Sequence, residues 1–209
     1  MKFGIIIISL ILLNANMLAQ SKEWETEKTK DGKITVKYSI SNHTGVNGKD
    51  EQLVEYVATT ATSANMKKLI SIMNDVSKHK EFMGQKESIK IKTFSENECV
   101  VYYFYKGVWP YPSSDVVAKM IYNEEAAKRA ATFTLTGAPT MFEDKGVRRM
   151  DNYNLTYLFK EAENGNVEIT ITSKFTPAVQ LPAFIMKTWF PDGPAGYLTG
   201  IIKLANEVK

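Results

Sequence analysis

The sequence predicts an α+β domain in which a curved antiparallel sheet wraps around a long C-terminal helix. Strand-like segments follow one another from residue 33 to residue 175, with a single helical segment among them. Short turns join most of these segments, which is typical of an antiparallel meander. The segment 181–209 carries an apolar helical stripe, and no other element is long enough to cover the concave face of such a sheet.

The first half of the predicted domain begins with two strands and a helix. Residues 33–40 alternate between apolar and polar side chains, which predicts a half-buried strand, and residues 53–60 form the second strand. Ser63 can cap a helix that places one apolar stripe in the core. That stripe consists of Met66, Leu69, Ile70, Met73 and Val76.

Six further strands are predicted without another helix between them. The last two are joined by a turn at residues 163–166, whose Asn-Gly pair is typical of hairpins. The predicted strands cover residues 89–94, 99–105, 116–122, 131–136, 148–159 and 167–175. The strand 99–105 is apolar on both faces, so its facing is not assigned.

An aromatic strand that runs into a Trp-Pro turn is the most distinctive local feature, read as YFYKGVWPYPSSD from Tyr103 to Asp115. Pro110 and Pro112 cannot donate to a sheet ladder and therefore end the strand. Ser113 to Asp115 are turn formers, after which strand patterning resumes.

The first 19 residues predict a signal peptide. Lys2 supplies a short positive region, Ile5 to Leu13 an apolar region, and small and polar residues follow up to Ala19. The apolar run is shorter than the about 20 residues that a transmembrane helix needs. We therefore expect an exported protein, periplasmic or secreted, in which residues 20–209 form one domain.

Charge and reactive side chains give no support for several function classes. The sequence has 26 Lys and Arg against 23 Asp and Glu, a balance that gives no electrostatic reason to expect a nucleic-acid partner. Cys99 has no second cysteine to pair with, so we expect a buried and unreactive thiol. His43 and His79 are isolated in the sequence, and both are predicted to be solvated at the surface. We expect no metal, no cofactor and no catalytic residue, and a monomer.

The order of these elements resembles a START domain, the steroidogenic-acute-regulatory-related lipid-transfer family within the helix-grip, or SRPBCC, superfamily. The resemblance covers the chain after the signal peptide. It is carried by Trp24, Asp31-Gly32, Asn74-Asp75, Tyr102-Tyr103, Trp109-Pro110 with Asp115, and Leu181-Pro182. Ser114 and Phe82 depart from the family pattern, which commonly has arginine before the acid and tryptophan after the first helix. The resemblance implies an exported bacterial member with a hydrophobic cavity between sheet and helix.

The strand 148–159 supplies the first candidate site residues. Its alternation places Arg149, Asp151, Tyr153 and Tyr157 on one face, which we expect to line the cavity. A buried Arg149–Asp151 pair could hold a hydroxyl, carboxylate or phosphate of a ligand. The alternative is that Arg149 and Asp151 lie solvated at the rim of the sheet.

Alternation in the neighbouring strands adds further candidates. Met120, Tyr122, Phe133 and Ile171 are expected to point inward and to contact the ligand, although each of them could equally be ordinary core. Methionine would suit a cavity that adapts to a flexible chain, because its side chain repacks readily.

The predicted C-terminal helix is interrupted at residues 191–194, read as Pro-Asp-Gly-Pro. Proline and glycine weaken a helix there, so this segment could act as a hinge. Phe184, Trp189 and Phe190 would then form an apolar gate that could touch a membrane during exchange. The alternative is a fixed break with these aromatic side chains in the core.

The function predicted from these features is non-covalent binding of a lipid or another hydrophobic small molecule, for transfer or sensing. Two alternatives stay open. The chain could be a cyclase- or hydrolase-like enzyme of the same superfamily that uses Arg149, Asp151 or Tyr153 for proton transfer. It could also be an interaction module without a ligand.

Overall fold

A computed structural model describes residues 23–45, 48–107 and 112–207. The predicted signal peptide and the Trp109-Pro110 turn lie outside these residues. Within them the chain forms ten strands and three α-helices. The strands are β1 (Glu25–Lys28), β2 (Thr35–Thr44), β3 (Asp50–Thr62), β4 (Glu87–Ser95), β5 (Glu98–Tyr105), β6 (Ser114–Glu125), β7 (Ala130–Gly137), β8 (Arg148–Arg149), β9 (Tyr153–Glu161) and β10 (Val167–Phe175). The helices are α1 (Met66–Asn74), α2 (Ala183–Lys187) and α3 (Asp192–Glu207).

The strands form one curved, open sheet in the order β1-β2-β3-β10-β9-β7-β6-β5-β4. Every pair along this order is antiparallel, whereas the short β8 lies off it and pairs in parallel with β6. Helix α3 packs against β2, β3 and β10 and against α1. The predicted fold class, an antiparallel sheet wrapped around a C-terminal helix, is confirmed.

The main core lies between the concave face of the sheet and the helices. Alternate residues of β2 and β3 meet across the ladder, as Tyr38 does with Tyr56, and their side chains are buried. Helix α3 contributes Leu198 and Ile201, which are fully buried. Gly200 allows this close approach, since a Cβ atom there would lie 2.6 Å from the Cβ of Phe82. Each buried large apolar side chain stabilises the fold by about 1.5 to 3 kcal/mol.

A second, smaller cluster covers the convex face beside β5. Val100 and Tyr102 of β5 pack there with Val117 of β6, and the ring of Phe142 lies 5.0 Å from that of Tyr102. Strand β5 is therefore buried on both faces, which is why its sequence shows no alternation. On the concave face its Cys99 is buried, as expected, and burial raises the pKa of the thiol.

Two local predictions differ from the structure at the helix ends. Asn65, not Ser63, caps α1: its side-chain oxygen accepts hydrogen bonds from the amides of Lys67 and Lys68 at 2.9 and 3.3 Å. The C-terminal segment forms two separate helices: α2 ends before residue 188, and α3 begins at Asp192. Pro194 then lies in the first turn of α3, where an amide hydrogen is not needed for an intrahelical bond.

Strand β1 was not predicted from the sequence because it is charged and does not alternate. It pairs with β2, whose Tyr38 hydroxyl donates to Glu27 at 2.7 Å and to Glu25 at 3.1 Å. These hydrogen bonds fasten the edge of the sheet. Nearby, Lys187 of α2 forms an ion pair with Glu25 at 2.6 Å, so β1 also anchors the start of the C-terminal helical region.

Candidate ligand-binding cavity

A cavity of about 600 Å³ lies between the concave face of the sheet and the two C-terminal helices. Its volume is within the range of about 300 to 1,000 Å³ that is typical of small-molecule sites. Strands β3, β5, β9 and β10 provide one wall, and α2 and α3 provide the other. The cavity is lined by Tyr56, Tyr105, Met150, Tyr153, Ser173, Phe175, Leu181, Ile185, Met186, Thr188, Trp189 and Tyr197.

The sheet wall is built by the ends of the central strands. Tyr153, at the start of β9, pairs with Phe175, at the end of β10, so both side chains point inward at the same end of the sheet. The chain after β10 is held across this end by the side chain of Gln52, whose amide nitrogen donates to the Leu181 carbonyl at 2.9 Å. Leu181 is thereby fixed as part of the cavity lining.

The helical wall depends on two consecutive aromatic residues. Phe190 is buried and stacks on Tyr38 with ring centres 3.9 Å apart, and Trp189 meets Tyr56 edge to face at 5.6 Å. Gly193 makes room for the indole, since a Cβ atom there would lie 2.0 Å from Trp189. The alternative to an apolar gate was a fixed break with the aromatic side chains in the core. Trp189 and Phe190 do pack against the core, whereas Phe184 is 72% exposed. Hinge motion of this segment stays a prediction.

The polar side-chain groups of the lining are six hydroxyls and the indole N–H of Trp189. The hydroxyls belong to Tyr56, Tyr105, Tyr153, Ser173, Thr188 and Tyr197. Burial raises the pKa of Tyr105 to about 12, and it also raises the pKa values of Tyr56, Tyr153 and Tyr197. All four phenols are therefore protonated and uncharged at neutral pH.

The predicted Arg149–Asp151 pair is wrong. Arg149 instead forms a two-pronged ion pair with Asp115, with nitrogen–oxygen distances of 3.0 and 2.8 Å. The guanidinium also donates to the carbonyls of Pro139, Phe142 and Glu143 at 2.7, 3.0 and 2.9 Å. Asp151 is exposed and lines a separate polar cleft, as the sheet-rim alternative expected.

The physical reason is a break in the predicted strand. Residues 150–152 separate β8 from β9, and β8 pairs with β6 while β9 pairs with β7 and β10. The alternation of inward and outward side chains in β9 therefore does not extend from Tyr153 back to Arg149. Asp115 faces the convex side of the sheet beside Val117 and Tyr102, so the ion pair lies outside the cavity. The Asp115 interaction raises the pKa of Arg149, which stays charged.

The other predicted site residues are distributed over three places. Tyr153 and Trp189 line the cavity, whereas Tyr157, Phe133 and Ile171 are fully buried in the packed core. Met120 and Tyr122 line a small cleft of about 150 Å³ near the β4–β5 turn. No observation tests which of them touch a ligand, so these roles stay predictions.

Several lining residues were missed by the sequence analysis. Tyr56 and Tyr105 lie on inward-facing positions of predicted strands, and Ser173 lies on the same face as Ile171. For Tyr105 and Ser173 the available signal was a position near the end of a strand, whereas Tyr56 lies in the middle of β3. Tyr197 and Ile185 depend on where α2 and α3 pack, which alternation does not determine.

The prediction of a solvated His79 is wrong. The residue is fully buried where the short 3-10 helix after α1 meets β5. Its Nε2–H donates to the Met73 carbonyl at 2.9 Å, and its Nδ1 accepts from the Tyr103 hydroxyl at 2.6 Å. Burial lowers the pKa of His79 to about 4, so the ring is neutral at physiological pH.

Two further observations bear on the class of site. No helix among the described residues is long and apolar enough to cross a membrane. In the same part of the chain, no group of three or more His, Cys, Asp and Glu residues is placed to hold a metal ion.

Solved structures with the same fold were found. A STAR-related lipid transfer protein from Xanthomonas axonopodis has a TM-score of 0.70 at 19% identity, covering 88% of this chain and 99% of that chain. Human STARD10 has a TM-score of 0.68 at 15% identity, covering 88% and 74%. The Zhui aromatase/cyclase from Streptomyces sp. R1128 has a TM-score of 0.51 at 10% identity, covering 74% and 94%.

These similarities confirm the expected resemblance at the level of fold: the chain has the helix-grip fold of START domains. Sequence comparison adds nothing to this assignment. No protein-family model matches the chain, and no curated protein matches it.

Proposed function

We propose that this chain is a carrier that holds a lipid or another hydrophobic small molecule in the cavity between its sheet and its C-terminal helices. The observation that carries the proposal is the cavity itself, about 600 Å³ in volume and lined mainly by aromatic and aliphatic side chains. The structural neighbour from Xanthomonas axonopodis is a STAR-related lipid transfer protein, which supports the same class of ligand.

Export and membrane contact are part of this proposal. The apolar segment Ile5 to Leu13 supports export to the periplasm or the medium. Phe184 supports transient contact with a lipid surface, because it is 72% exposed and adjoins Ile185, which lines the cavity. A ligand could then pass between membrane and cavity beside α2.

A carrier is favoured over an enzyme by the chemistry of the lining. The neighbour that is an aromatase/cyclase shares the fold at 10% identity, which supports no transfer of activity. The ionisable groups among the lining residues that the structure describes are phenols with raised pKa values. Such phenols are poor proton donors and acceptors at neutral pH, where general acid–base catalysis needs pKa values near 7.

Blocking the cavity should abolish binding of a hydrophobic probe. Ile185 lines the cavity, so we expect Ile185→Trp to weaken the binding of Nile red, a neutral environment-sensitive dye, at least tenfold. Ile121→Trp is the matched control, because Ile121 is exposed on β6, outside the cavity, and its enlargement should leave the affinity unchanged. Fluorescence titration of the folded variants gives both dissociation constants. Equal affinities for the two variants, or no signal with the unmodified protein, would contradict the proposal.

A further inference from the structure

The lining of the cavity contains no charged side chain among the residues that the structure describes. Its polar side-chain groups are the hydroxyls of four tyrosines, of Ser173 and of Thr188, and the indole N–H of Trp189. The Ser173 hydroxyl donates to the Asn154 carbonyl at 3.1 Å, and Gln85 donates to the Tyr105 hydroxyl at 3.3 Å. A hydroxyl can both donate and accept, so these groups suit a ligand that is itself neutral and polar at one end.

The charged groups that the sequence placed in the cavity lie elsewhere. Arg149 and Asp115 neutralise each other on the convex side, and all five N–H donors of the guanidinium are engaged by Asp115 and three carbonyls. Asp151 is exposed at a different cleft. A carboxylate or phosphate brought into the cavity would therefore lose water without gaining a cation, which is strongly unfavourable.

Two buried polar atoms near the lining have no hydrogen-bond partner within the described part of the chain. They are the hydroxyl of Tyr157 and the side-chain oxygen of Gln85. The Tyr157 hydroxyl lies in the packed core, whereas the amide of Gln85 donates to the Tyr105 hydroxyl, which lines the cavity. Buried polar atoms are normally satisfied, so the Gln85 oxygen is an acceptor that remains open beside the Tyr105 end of the cavity.

We infer that the cavity selects a neutral lipid, one whose polar end is a hydroxyl, ester or ketone held by the tyrosine hydroxyls, and that it rejects fatty acids and phospholipids. This inference rests on the proposed carrier function and adds the chemical class of the ligand. Its basis is the joint presence of an uncharged lining and of hydrogen-bonding groups that can serve a neutral oxygen.

Trp189 lines the cavity and provides a direct reporter of occupancy. The chain has three tryptophans, so a Trp24→Phe, Trp109→Phe variant leaves Trp189 as the single emitter. Bromine quenches indole fluorescence on contact, and three ligands with the same chain can be compared: dibromostearyl alcohol, methyl dibromostearate and dibromostearic acid. At about pH 9 the acid is ionised, whereas the cavity phenols are still protonated.

We expect the alcohol and the methyl ester to quench Trp189 with similar affinity, and the acid to bind at least tenfold more weakly. Tyr105→Phe and Tyr153→Phe should each weaken the alcohol about three- to tenfold by removing one hydrogen bond. Tyr102→Phe is the control, since Tyr102 packs on the convex face of the sheet, away from the cavity.

Two results would overturn the inference and leave the carrier proposal standing. The first is an acid that binds as tightly as the alcohol, and the second is an unchanged affinity for the alcohol in both cavity variants. Quenching by none of the three ligands would overturn the carrier proposal together with the inference.

Discussion

Replacing Arg149 by methionine is expected to lower the free energy of unfolding by about 3 to 5 kcal/mol, the cost of leaving one member of a buried ion pair without its partner. Asp115 is fully buried, and the Arg149 side chain is 14% exposed. The guanidinium also ties together the segment 139–143, which covers the convex face, through three carbonyl oxygens. Chemical denaturation monitored by circular dichroism measures the change.

The neighbouring Arg148 provides a matched control. Its guanidinium is exposed and makes one long contact, 3.4 Å from the Ala178 carbonyl, so Arg148→Met should change stability by less than about 0.5 kcal/mol. Adding Asp115→Leu to Arg149→Met should recover part of the loss, because the double variant buries no unpaired charge. If Arg149→Met lowered the free energy of unfolding as little as Arg148→Met, the ion pair between Arg149 and Asp115 would not stabilise the fold.

Stability is expected to fall as the pH drops from about 6.5 to about 4, because His79 is buried as a neutral ring. The pKa of His79 is lowered from its ordinary value of 6.5 to about 4, mainly by burial. Below pH 6.5 the unfolded chain takes up a proton that the folded chain binds only near pH 4. The stabilisation present above pH 6.5 is therefore lost progressively, by up to about 3 kcal/mol.

His79→Gln separates this effect from the titration of other groups. A glutamine amide can donate to the Met73 carbonyl, and its oxygen can accept from the Tyr103 hydroxyl, without titrating. Between pH 6.5 and 5 the variant should lose much less stability than the unmodified protein. Urea denaturation across this range measures both slopes. Identical slopes in the His79→Gln variant and the unmodified protein would rule out His79 as the cause.

Much of the fold could be predicted from the sequence because alternation reports burial directly. The inward faces of β9 and β10 were identified from alternation, as Tyr157 and Ile171 show, and the bounds of β10 match the predicted strand. Charged edge strands do not carry this signal, which explains why β1 was missed. The break at residues 150–152 was also missed, because the sequence pattern of the predicted strand is compatible with inward and outward alternation on both sides of these residues.

The candidate site was predicted less well because it depends on packing between distant elements. Tyr153 was predicted from the alternation of its strand. Tyr197 faces the same cavity from α3, and its position depends on how that helix packs against the sheet. Arg149 and His79 illustrate the opposite error. Both belong to residue types that are usually exposed, and their burial is explained by partners that are far away in sequence, Asp115 and Tyr103.

Native mass spectrometry of the protein, purified from the cells that express it, tests the carrier function most directly. We predict a population whose mass exceeds that of the polypeptide by one hydrophobic molecule, which is lost under denaturing conditions and is missing from Ile185→Trp. After incubation with a mixture of neutral and anionic lipids, the added mass should correspond to a neutral lipid. The mass of the polypeptide alone, both as purified and after this incubation, would contradict the account.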